Sequence, residues 1–342
     1  MRRFLIFGVI SVEPAAFFAS WQAARLVRPD LKPMGAAGLS QAGLVWRHWV
    51  AFCAVHSIDW QAARSADIAR FCEHISPRSK SRKTSPVTRR RYWRVLRDLY
   101  AHALQSSQVA VNPAEGAQPL ATERVPSLAL SLPMWTALHE GLYEGFPGGD
   151  DFKVRRNHLA LLLMMGAALT VREIIGLSLD CAEICTRLPG GPAEADPLYD
   201  LRVRKAGGGH ERTLQLDGPT SQALHAWLEV RPIGLPALHP GSRLVVGDRI
   251  GRSIAPNGLY NICQAHLARC LTEKGLMAAP MPHAVLDPGA LAHMGPNTLR
   301  NTCIAMWLNA GVPLQEVQRR CGFKDASVMS RLGAHLLSPF PL

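Results

Sequence analysis

One stretch of the chain alternates with the period of a strand, and it limits what the rest can be. In LYDLRVRKAGGGHERTLQL (198–216) apolar and polar residues alternate on either side of three glycines, the pattern of a β-hairpin. Elsewhere apolar residues recur every three or four positions, as on amphipathic helices. Leu44, Trp46, Trp49, Val50, Phe52 and Cys53 predict a helix from about 39 to 56, and Asp67, Ile68, Phe71 and Cys72 predict one that ends before Ser76-Pro77. Val87 to Ala103 predicts a third, stopped by Asn112-Pro113, and further helices are expected at 132–143, 153–169, 219–230, 256–274, 297–310 and 313–321. The expected fold class is mainly α with a small antiparallel sheet.

The hairpin and most of the helices lie beyond a polar, proline-bearing stretch, NPAEGAQPLATERVPS (112–127), which reads as a linker. A chain of 342 residues supports two cores. The expected division is an N-terminal extension (1–34), an all-helical domain (35–113), a linker (114–127) and a larger domain (128–342).

Charge narrows the partner. A formal net charge of +12 favours a polyanion, because neutralised phosphates release condensed counterions. Eight cations and no acid occupy 78–94: Arg78, Lys80, Arg82, Lys83, Arg89, Arg90, Arg91 and Arg94. The last four fall on a predicted helix, where neighbours three and four apart share a face, while Tyr92 and Trp93 turn partly inward. Arginine outnumbers lysine here, and its planar fork bonds two phosphate oxygens at once. The strip reads as a DNA-binding surface through Arg82, Lys83, Arg89, Arg90, Arg91 and Arg94; a solvated helix face beside a loop is the plainer alternative.

Other chemistries find no support. The eight cysteines form no CxxC pair and read as buried reduced thiols. His48, Cys53 and His56 lack metal-ligand spacing, glycines 207–209 lack the Gly-Lys-Ser/Thr of a phosphate loop, and no Gly-x-Ser-x-Gly elbow occurs. No cofactor or metal is expected. MRRFLIFGVISVEP begins like an export signal, but Glu13-Pro14 stands where small cleavage-site residues belong. The longest apolar run, LALLLMMGAAL (159–169), is too short for a membrane span and reads as a buried helix. A cytoplasmic protein without membrane partners is expected.

Four segments, in order, resemble the catalytic domain of tyrosine recombinases (phage integrases). GAALTVREIIGLSLDCAEI (166–184) is similar to the turn carrying an arginine and then a glutamate; Glu173 and Leu177 match, but Thr170 takes the arginine's place. RVRKAGGGHERTLQL (202–216) resembles the hairpin that presents a lysine, matched by Lys205. GPNTLRNTCIAMWLNAGVPLQEVQRRCGF (295–323) resembles the His-x-x-Arg stretch ending in Leu-Gly-His: Arg300 matches, Asn297 and Asn301 replace histidines, and Cys321-Gly322-Phe323 replaces the final triplet. KDASVMSRLGAHL (324–336) resembles the run that holds the nucleophilic tyrosine, whose position is Leu332; the last tyrosine of the chain is Tyr260. The resemblance implies a two-domain clamp, with residues 35–113 as core-binding domain and 128–342 as catalytic-like domain.

It also implies a damaged reaction centre. Strand cleavage by this route needs a phenolic oxygen to attack phosphorus, cations on the non-bridging oxygens and an acid for the leaving oxygen. Leu332 has no oxygen, and losing a nucleophile typically costs on the order of 10⁴-fold or more. Arg300 and Lys205 remain as phosphate donors, unless Arg300 instead pairs with Glu316 or Asp325, while Thr170, Asn297 and Phe323 occupy other catalytic positions. The leading expectation is a non-cleaving homologue that binds double-stranded DNA, with an active recombinase encoded nearby as second partner and weak or no self-association. The competing one is an active recombinase with a rearranged site, using Arg172 and another nucleophile. A relic without function is the third.

Overall fold

The computed structural model describes residues 13–27, 34–75, 86–117, 128–143, 151–185, 197–204, 210–231, 242–248, 251–273 and 294–337. The chain divides into two compact units, Met1–Glu123 and Arg124–Leu342.

The first unit is helical: α1 (Pro14–Val27), α2 (Ala36–Val55), a 3₁₀ turn (Trp60–Ala62), α3 (Ser65–His74) and α4 (Pro86–Gln105). Aromatic side chains dominate its core, and most of the buried tryptophans and tyrosines find a partner for their polar N–H or O–H. Trp49 donates its indole N–H to the Tyr100 hydroxyl at 2.9 Å, and that hydroxyl donates to the Trp60 carbonyl at 2.7 Å. Trp93 donates to the Ala114 carbonyl at 2.6 Å, which ties the turn after α4 back to the core. Helix α1 belongs to this core rather than preceding it. Phe17 and Trp21 are buried, Phe17 packs on Trp46 and Trp60, and Trp46 donates to the Pro14 carbonyl at 2.8 Å. The 1–34 segment, read as an extension, therefore supplies part of the packing. Of the 114–127 linker, residues 118–127 lie outside the described residues.

The second unit contains α5 (Leu132–Tyr143), α6 (Phe152–Met165), α7 (Val171–Gly176), β1 (Ala182–Ile184), β2 (Tyr199–Val203), β3 (Arg212–Gln215), α8 (Gly218–Val230), α9 (Pro256–Glu273), α10 (Pro296–Asn309) and α11 (Leu314–Cys321), then a 3₁₀ segment, Ala326–His335. From Leu159 to Met165 every residue of α6 is buried, as expected of a helix that is apolar all round. It forms the centre of the unit and packs on α5, α8, α9 and α10. Asp151 starts it by accepting from the backbone N–H groups of Lys153 and Val154. Among the described residues no helix is long and apolar enough to cross a membrane.

The strands form an antiparallel sheet in the order β1-β2-β3, with Leu201 opposite Leu214. Tyr199, Leu201 and Val203 face inward on β2, and Arg212 and Leu214 on β3. The hairpin expected over 198–216 is present on both sides of its turn, while the turn itself (205–209) lies outside the described residues. Strand β1 was not anticipated, being three residues long.

Candidate nucleic-acid interface

The polypeptide from Gly166 to Gly176 joins the central helix to the first motif of the predicted site. Ala168 sits at φ +50°, a left-handed conformation uncommon outside glycine. Two residues on, Thr170 caps α7. Its hydroxyl oxygen accepts from the Glu173 backbone N–H at 3.2 Å, while its own N–H and O–H donate to Glu173 Oε2 at 2.8 and 2.9 Å. The threonine expected at the arginine position thus has its hydroxyl proton committed to a carboxylate.

Glu173 is buried and anchors a second link. Arg212 Nη1 donates to Glu173 Oε1 at 2.6 Å, and Arg212 Nε donates to the Arg320 carbonyl at 2.6 Å. Both side chains are almost wholly buried, 4% and 6% exposed. Burial alone raises the Glu173 carboxyl; the hydrogen bond from Arg212, those from Thr170 and the guanidinium charge outweigh it and hold the group below its ordinary value. Gly322 closes the arrangement. It ends α11 at φ +65°, and a Cβ there would meet Arg212 Nη1 at 2.7 Å. Arg212 was not anticipated as part of the site, although strand parity marks it: a cation in phase with inward Leu214 requires a buried partner.

Arg300 has a different setting. It projects half-buried from α10, donates from Nε to the Ala168 carbonyl at 2.8 Å, and lies over the Phe323 ring with Cζ 4.8 Å from the centroid. Among the described residues neither Nη atom has a hydrogen-bond or ion-pair partner. The alternative pairing with Glu316 or Asp325 does not occur. Glu316 takes Arg319 at 2.7 Å and Arg320 at 2.8 Å, which lower its carboxyl to about 2, and Asp325 accepts from Ser327 N–H at 2.8 Å. Arg300 therefore presents the outer end of its guanidinium, the part that bonds two phosphate oxygens in parallel.

Arg300 bonds the Ala168 carbonyl, and Leu332 and Phe323 pack in or against the apolar cluster that contains Ala168, two residues before Thr170. Leu332 is 3% exposed and packs in one apolar cluster with Ala168, Cys303, Ile304, Val317, Cys321 and Met329. The Asn309 side chain fastens the segment that carries it, donating to the His335 carbonyl at 3.1 Å and accepting from Leu337 N–H at 2.9 Å. Asn297 is exposed on the first turn of α10, and Asn301 donates to the Leu128 carbonyl at 3.1 Å. Arg172 is exposed, whereas Glu173 and Ile174 turn inward. The Tyr260 ring lies against Gly295, at the start of α10, and makes no hydrogen bond to Arg300. Lys205 lies outside the described residues.

On the first unit the basic strip follows α4. Arg91 and Arg94 are exposed, Arg89 and Arg90 half-buried, and Tyr92 and Trp93 fully buried. Arg97, one turn beyond Trp93, lies over its indole at 4.9 Å and extends the exposed cationic row. Arg82 and Lys83 lie outside the described residues.

The chain matches no protein-family model. It is 26% identical over 295 residues to a tyrosine recombinase XerC of Pseudomonas putida strain KT2440, spanning 84% of this chain and 81% of that one. To a tyrosine recombinase XerC 1 of Ralstonia nicotianae it is 28% identical over 233 residues, 67% of this chain and 62% of that one. Among solved structures it resembles the XerH site-specific recombinase bound to palindromic difH substrate, with a TM-score of 0.63, 14% identity, and 94% and 81% of the two chains covered. It also resembles the Tn1549 transposon integrase in complex with a circular intermediate DNA, with a TM-score of 0.61, 14% identity and 96% of each chain covered. Over most of its length this chain is similar in sequence to curated tyrosine recombinases, and its mainly helical fold is that of solved recombinase and integrase structures.

Proposed function

We propose that this chain serves DNA integration or recombination by binding duplex DNA without cutting it, as an accessory subunit beside an active recombinase of a mobile element. Relatives named as recombinases and fold neighbours solved on DNA support the DNA-directed part of the reading. The observation that supports the non-cleaving part is that Leu332, which motif order puts where the attacking tyrosine is expected, is an aliphatic side chain buried in an apolar cluster. Arg300 grips the phosphodiester backbone in this reading, with Lys205 as a second remnant donor. In the first unit Arg89, Arg90, Arg91 and Arg94 track phosphates together with Arg82 and Lys83. Residues 35–113, completed by α1, act as the core-binding domain and residues 128–342 as the catalytic-like domain.

Gel-shift titration of duplex DNA at several salt concentrations tests the binding. Affinity is expected to fall linearly on a log–log plot with a slope of about −0.9 per phosphate contacted, and a flat response overturns the reading. Nicked suicide duplexes test the chemistry. No covalent adduct is expected from the native chain, nor from Leu332→Tyr alone, because Thr170 and Asn297 leave the oxyanion without its cationic and imidazole donors.

One observation favours the active alternative with a rearranged site: the Tyr260 ring lies on the turn that starts the Arg300 helix. An adduct that forms on the suicide duplex and disappears in Tyr260→Phe establishes that alternative and ends the non-cleaving one.

A further inference from the structure

We infer that Phe323 and the Ala168 carbonyl together act as a cradle that fixes the Arg300 guanidinium with only its outer Nη edge available to a DNA phosphate; this inference rests on the DNA-binding reading above. A guanidinium has two faces and two usable edges. At Arg300 the Nε edge is occupied by the Ala168 carbonyl at 2.8 Å, and one face is covered by the Phe323 ring with Cζ 4.8 Å from its centroid. What remains is the Nη1/Nη2 end, which among the described residues has no hydrogen-bond or ion-pair partner.

The neighbouring backbone is consistent with a built arrangement. Ala168 holds φ +50°, a conformation that costs a non-glycine residue energy and persists where the surroundings impose it. Its methyl is fully buried in the cluster containing Leu332, Cys303 and Cys321, so packing sustains the turn whose carbonyl receives Arg300. Phe323 is placed by Gly322, whose left-handed φ of +65° ends α11, and by its own backbone N–H, which donates to the Gln318 carbonyl at 3.1 Å. A phenyl ring where the family has a histidine is therefore more than a lost proton donor. Phe323 is a positioning residue: it restricts the arginine to one orientation, so less freedom is lost when a phosphate is taken.

The test is a scan of duplexes that carry one neutral methylphosphonate linkage at successive positions, read by gel shift with the full chain. The native protein is expected to lose affinity at one linkage in particular, and Arg300→Ala to become indifferent to that linkage. Phe323→Leu keeps the bulk but removes the aromatic face; it is expected to weaken binding to unmodified DNA roughly three- to tenfold, the size of a partly desolvated cation–π contact, and to blunt the same linkage effect. Phe323→Tyr restores both. A merely structural role would not give this linkage-specific pattern, and thermal melting of each variant identifies any that fail to fold. Phe323→Leu that is folded and indistinguishable from the native chain at that linkage overturns the cradle while leaving DNA binding intact. No DNA binding, or binding with no linkage sensitive to Arg300, overturns the functional reading and the cradle with it.

Discussion

Two arginines of the second unit stand on opposite terms with their surroundings. Arg212 is enclosed: a carboxylate on Nη1, a carbonyl on Nε, Gly322 against its tip, and almost no exposure. Arg300 is held along one edge and one face, and its outer end is open. The same side chain serves as a structural tie in one place and leaves its outer donors open in the other. A buried ion pair is costly to break because the survivor is left charged and unpaired, whereas an open arginine costs little to remove until its ligand is present.

The sharpest way to break this contrast is Arg212→Ala. It strands Glu173 in the interior and is expected to cost about 3–5 kcal/mol in urea unfolding. A loss no greater than that of Arg300→Ala would erase the distinction. Gly322→Ala comes next, at about 1–3 kcal/mol, because it places a Cβ against Arg212 in a left-handed backbone.

A pH series sharpens the same comparison. The Glu173 carboxyl lies below its ordinary value in the folded chain, so its contribution is fully present above the unfolded value of 4.5 and is lost as pH falls through the lowered folded value. The native chain should therefore lose stability below pH 4.5 more steeply than Glu173→Gln. His266, which burial lowers to about 4, loses its own contribution as pH falls from 6.5 toward that value, but it titrates in both proteins and cancels in the difference. Parallel curves would mean that Arg212 does not hold the carboxylate. The smallest expected stability effect is that of Arg300→Ala, within about 1 kcal/mol, accompanied by a loss of DNA affinity of about ten- to a hundredfold from one charge-assisted contact.

Most of the helices were legible because period and punctuation agree. Asn112-Pro113 follows the end of α4, and the helix of 153–169 was recognisable from its continuous apolar run, although it ends at Met165, where Gly166 and the left-handed Ala168 turn the chain. Helix α1 was missed because Phe17 and Trp21 occupy barely two turns and gain meaning only against Trp46 and Trp60, which lie far along the chain. Strand β1 was missed because three residues with Ile184 exposed carry no alternation to read.

The site divides in the same way. Motif order alone singled out Arg300, Thr170, Phe323 and Leu332 as an expected constellation. What order does not convey is orientation. That Thr170 gives its proton to Glu173 is the outcome of a local cap; that Phe323 lies on Arg300 and that Arg212 is the cation Glu173 meets are outcomes of three-dimensional packing between separate elements.

The docking of α1 bears on how the protein is to be dissected. A fragment begun at residue 35, where the sequence invites a cut, removes the ring of Phe17 that packs against two indoles and leaves Trp46 without its acceptor. Such a fragment presents fresh oily surface beside its arginine-rich helix, and its stickiness toward DNA would report damage rather than recognition.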